Sequence, residues 1–137
     1  MKLTDDNYNL GLQEFDGQIE KVKAQKELAE KLNKLVKTDE WKEVIEKEYY
    51  ENEADRLVKG LTNSNNLLKR EVVENMTDMI ISIRNFKKFI GYVLDNGLMA
   101  DDLIEDIKDQ KEAWAKEYQA QMKAQAENDE VIDVEAE

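Results

Sequence analysis

The chain has 137 residues, no proline, histidine or cysteine, and a formal net charge of −12. That length supports one domain with one modest core. The missing residue types exclude disulfides, thiolate chemistry and histidine-based catalysis or metal ligation.

Residues 1–15 are polar with scattered Tyr8, Leu10, Leu12 and Phe15. They show no sustained period and predict a flexible N-terminal arm. A first helix is expected from Asp16 or Gly17 to Lys37. Ile19, Val22, Ala29, Leu32 and Val36 form its stripe, with Leu28 and Leu35 alongside. Thr38 and Asp39 then supply a capping signal.

The second helix is expected from about Asp39 to Leu61. Trp41, Val44 and Ile45 mark one face; Tyr50, Ala54, Leu57, Val58 and Leu61 mark another. These sets are well separated around an α-helix, so the helix is covered on two sides or bends near Tyr49 and Tyr50. Gly60 and the polar run Thr62-Asn63-Ser64-Asn65-Asn66 predict a loop.

The strongest pattern follows. Val72, Met76, Met79, Ile83, Phe86, Ile90 and Val93 recur at steps of four and three, with Val73, Ile80 and Leu94 widening the stripe. This predicts a long central helix over about 66–95. Asp95-Asn96-Gly97 is read as its stop, with Gly97 in a left-handed cap. A fourth helix is expected from about Ala100 to Ala126, lined by Leu103, Ile107, Trp114, Tyr118 and Met122. Residues 127–137 carry six acids and no base and predict a disordered acidic tail. The expected architecture is all-α: a four-helix, mostly antiparallel bundle over residues 16–126.

Possible sites are few. Asp101, Asp102, Glu105, Asp106 and Asp109 lack the alternating loop ligands of a calcium site and read as a charged helix start. Glu48 and Glu53 lack a matching nucleophile, so acid–base work is not indicated; Glu53 and Arg56 read as a structural ion pair, buried if it fixes register. No catalytic, cofactor or metal site is expected. Tyr49, Trp114 and Tyr118 are candidate partner-binding aromatics, with core and core rim as the alternative. Val131, Ile132 and Val134, set among acids, either dock on a partner or are incidental to a solubilising tail.

Residues 16–37 hold six lysines against four acids, and these alternate as a solvated face. Direct nucleic-acid binding is not expected, because phosphate contacts need clustered bases. No apolar run approaches a membrane span, and the N-terminus has no positive region followed by an apolar one. A soluble, cytoplasmic protein is expected, with homo-oligomerisation open.

Trp41-Lys42-Glu43-Val44-Ile45, Tyr49-Tyr50 and Glu53-Ala54-x-Arg56-Leu57, followed by Phe86-Lys87-Lys88-Phe89 and Tyr92, resemble a pattern in small helical proteins of tailed bacteriophages. The resemblance covers the middle half of the chain. The acidic tail and the proline-free polar loop depart from it. It implies a virion component or assembly accessory acting near the capsid or portal, in the host cytoplasm or the virion, with protein partners and no enzymatic activity. An acidic inhibitor of a host nucleic-acid-processing protein is the alternative.

Overall fold

The computed structural model describes residues 3–63 and 68–136, with side chains described as far as Val131. Helix dominates, and no strand occurs among the described residues. Helix α1 is Asp5–Val36. Helix α2 opens as Asp39–Trp41, is π-wound over Lys42–Glu53 and returns to α winding over Ala54–Asn63. Helix α3 is Arg70–Ala136, 67 residues long.

Four boundaries differ from expectation. The N-terminal arm is helical from Asp5, because Thr4 Oγ1 accepts the Asn7 amide at 3.2 Å and Asp5 and Asp6 sit in the positive first turn. The expected stop at Asp95-Asn96-Gly97 lies inside α3, so the third and fourth expected helices are one. Helix α3 also continues through the acidic segment to Ala136, where a disordered tail was expected. Thr62 and Asn63 of the expected loop are still helical; Ser64, Asn65 and Asn66 lie outside the described residues.

The Thr38 cap is present. Its Oγ1 accepts the Trp41 amide at 3.2 Å from an extended backbone with φ −73° and ψ 151°.

The chain divides into two compact units, Met1–Ala24 with Met99–Glu137, and Gln25–Leu98. In the first unit α1 and α3 run antiparallel. Tyr8 stacks on Tyr118, Phe15 meets Trp114 edge-on, and Lys111 Nζ bonds Asp16 Oδ1 at 2.6 Å. Ile19, Val22 and Ala100 are buried there.

In the second unit Ala29, Trp41, Leu57, Ile83 and Val93 are buried. The predicted stripe of the long helix is only partly covered: Ile83 and Val93 are buried, but Val72 and Met79 are exposed. Coverage follows Val73, Met76, Ile80, Ile83, Phe86, Ile90 and Val93 instead, one position round the helix at its N-terminal end.

The π winding resolves the two-faced pattern of α2. In an α-helix, residues nine apart lie about half a turn from each other. Bonding to the fifth residue adds nearly one residue to each turn, so nine residues make about two whole turns. Trp41 and Tyr50 therefore share a face. Both lie against Phe86, with ring centroids 6.3 Å and 6.1 Å away.

Candidate protein-interaction surfaces

Tyr49 sits at the edge of this aromatic cluster. Its ring meets Phe86 edge-on at 5.8 Å and Tyr50 at 6.1 Å. It is half-buried and lines a shallow open groove with Val44, Ile45, Glu48 and Glu53. The side of Tyr49 away from Phe86 is thus available beside an exposed Val44. Tyr50 packs more deeply: Lys87 Nζ lies 4.7 Å from its ring centroid, and its buried hydroxyl has no hydrogen-bond partner among the described residues. Burial, with the Glu46 charge adding to it, raises the Tyr50 pKa above the ordinary tyrosine value.

Glu53 and Arg56 do pair, at 3.0 Å through Nε and 2.5 Å through Nη2. The pair is at the surface, not buried: Arg56 is largely exposed, with only Glu53 part-covered. The Arg56 hydrogen bond holds the Glu53 carboxyl below its usual range. An exposed pair of this kind adds little to stability. Glu48 bonds Asn52 at 3.0 Å on the same helix.

In the first unit Trp114 and Tyr118 are engaged by α1. Gly11 leaves room for the Trp114 indole: a Cβ there would lie 2.6 Å from Nε1. The indole N–H donates to the Tyr8 carbonyl at 3.3 Å. Tyr118 lies parallel to Tyr8 with centroids 4.1 Å apart, and its hydroxyl donates to the Asp5 carboxylate. That bond raises the Tyr118 pKa, with desolvation adding to it. Leu3 and Gln121 extend the seam through a 3.1 Å bond from the Leu3 amide to Gln121 Oε1.

Val131 is exposed, and Ile132 and Val134 lie outside the described side chains. Asp102, Glu105, Asp106 and Asp109 are exposed along α3 with Asp101 beside them. Among the described residues, no three acidic side chains are grouped to hold a metal ion. No helix among them is long and apolar enough to cross a membrane.

One surface has no counterpart in the sequence reading. In the second unit Leu28, Leu32 and Leu35 of α1 and Phe89, Ile90 and Val93 of α3 line an apolar groove with Lys31. Leu28, Leu35 and Phe89 remain exposed. The signal was present: the three leucines repeat at steps of four and three beside the inner stripe of Ala29 and Val36. Such a double stripe marks a helix with two apolar seams.

The fold thus defines an all-α protein in which α1 and α3 pair antiparallel within each unit. Comparison of the chain with protein-family models, curated proteins and solved structures finds no match.

Proposed function

We propose that the chain is a non-enzymatic helical assembly protein of a tailed bacteriophage, binding capsid, portal or other virion proteins through helix faces and its acidic C-terminal segment. It acts in the host cytoplasm during assembly or is retained in the virion. The observation that carries this reading is the apolar surface left open on helices: Leu28, Leu35 and Phe89 in one place, Val44 beside Tyr49 in another. Aromatic and aliphatic anchors of this kind are the usual core of protein interfaces. The resemblance of residues 41–57 and 86–92 to phage proteins supplies the setting.

A pull-down from phage-infected cells tests it. The full chain should retain virion proteins, and a chain ending at Ala126 should retain less while keeping its helical circular dichroism. Equal retention by both chains contradicts the role of the acidic segment. Retention of host proteins alone contradicts the assembly reading.

The exposed acids from Asp102 to Asp109 favour a second reading, an inhibitor occupying a basic nucleic-acid channel of a host protein. That reading requires binding to a host nuclease or polymerase that weakens steeply with salt.

A further inference from the structure

We propose that α2 is a two-state element, π- or α-wound, in which the Phe86 ring is the latch and the open surface of Val44, Tyr49 and Glu53 exists only in the latched π winding.

Twelve residues, Lys42–Glu53, are π-wound. Most π winding in proteins is a single turn, so a run of this length needs support from outside the helix. Three rings supply it. Trp41, Tyr49 and Tyr50 all lie against Phe86, with centroids 6.3, 5.8 and 6.1 Å away, and Lys87 Nζ covers the Tyr50 ring. In α winding one of Trp41 and Tyr50 would stay on Phe86 and the other would turn away by about half a turn. Contact of both rings with Phe86 therefore requires the π winding. An opposing force is built in as well. The Tyr50 hydroxyl is buried with no hydrogen-bond partner among the described residues, which favours a rearrangement that returns it to water.

The open surface follows the winding. Val44, Tyr49 and Glu53 line one shallow groove with Ile45 and Glu48. Val44 and Glu53 are nine residues apart, about two whole turns in π winding and about two and a half in α winding. Release of the latch sends them to opposite sides of the helix and dismantles the groove. Anything seated in the groove therefore stabilises the π winding, and anything that draws the rings off Phe86 releases it. The winding change does not depend on the phage assignment or on what the groove binds.

Couplings across hydrogen bonds, measured by nuclear magnetic resonance on the 16.0 kDa chain, read the winding directly. In the full chain the Tyr50 amide should couple to the Ile45 carbonyl, five residues back. Phe86→Ala should move that coupling to the Glu46 carbonyl, four residues back, with helical circular dichroism unchanged. A second variant separates release of the latch from simple loss of core. Glu46 and Lys47 are both exposed. Deleting them leaves Trp41 and Tyr50 seven positions apart, about two α turns. That chain should fold, couple the Tyr50 amide to the Val44 carbonyl, now four back, and keep nuclear Overhauser contacts from Phe86 to both rings. A full chain coupled four residues back, a folded Phe86→Ala variant still coupled five back, or a deletion variant that unfolds or loses either ring contact each overturns the proposal. If Phe86→Ala unfolds, the deletion variant decides.

Discussion

Gly97 of α3 meets Ala29 of α1 so closely that a Cβ on Gly97 would lie 2.3 Å from the Cβ of Ala29. Neither residue has a flexible end that could move aside, so the glycine lets two helix backbones approach.

Gly97→Ala should therefore destabilise the fold by about 1–3 kcal/mol, the range for overpacking a close contact. Gly17 is also helical, but nothing lies within 4 Å of a Cβ built on it. Gly17→Ala should stabilise by about 0.5–1 kcal/mol through helix propensity alone. Urea unfolding of both variants checks the contrast. Equal shifts would mean that the close approach does not exist in solution.

Leu57 is 1% exposed, and its burial anchors the C-terminal part of α2. Leu57→Ala should cost about 2–5 kcal/mol from lost burial plus the cavity left behind. Leu98 is 82% exposed, and Leu98→Ala should change stability by less than about 0.5 kcal/mol. Thermal melts of the two variants measure the difference.

Of the five tyrosines, Tyr50 and Tyr118 should ionise late, above the ordinary value of 10.0. A tyrosine with a raised folded-state pKa holds its proton more tightly when folded. Its contribution to stability is complete below the unfolded value and is lost as pH rises through the folded one. Ultraviolet titration of tyrosinate should show two delayed components, with Tyr118→Phe and Tyr50→Phe each removing one. Alkaline unfolding should coincide with the late phase. A titration curve unchanged by both substitutions contradicts the two environments.

The all-helical class and the Thr38 cap were legible because each depends on local pattern. The breaks were misread where one residue type serves two purposes. Asp95-Asn96-Gly97 has the composition of a helix stop, yet Phe86, Ile90, Val93, Gly97, Ala100, Ile104 and Ile107 keep the four-and-three rhythm through it. Residues 1–15 read as having no sustained period, although Tyr8, Leu12, Phe15, Ile19 and Val22 are in step through Gly11. Packing against Ala29 or Trp114 is information from a distant part of the chain, and no local window contains it. The π winding was hidden for a different reason. Helical angles computed at α spacing put Trp41 and Tyr50 on opposite sides, and only Phe86 shows why they share one.

The exposure of the Glu53–Arg56 pair was likewise beyond the sequence. Spacing of three permits the pair, but whether it is covered depends on which face the wider helix turns inward. Tyr49, by contrast, was separable from Tyr50 on spacing, and it does line an open groove while Tyr50 packs deeper.

The central structural claim is that α3 passes unbroken through Asp95, Asn96 and Gly97. Amide hydrogen exchange resolved by nuclear magnetic resonance from Leu94 to Leu103 measures it directly. The account predicts continuous protection and helical Cα shifts across these residues, with Gly97 as protected as Val93. Fast exchange confined to Asn96, Gly97 and Leu98, with loop-like shifts, would contradict it.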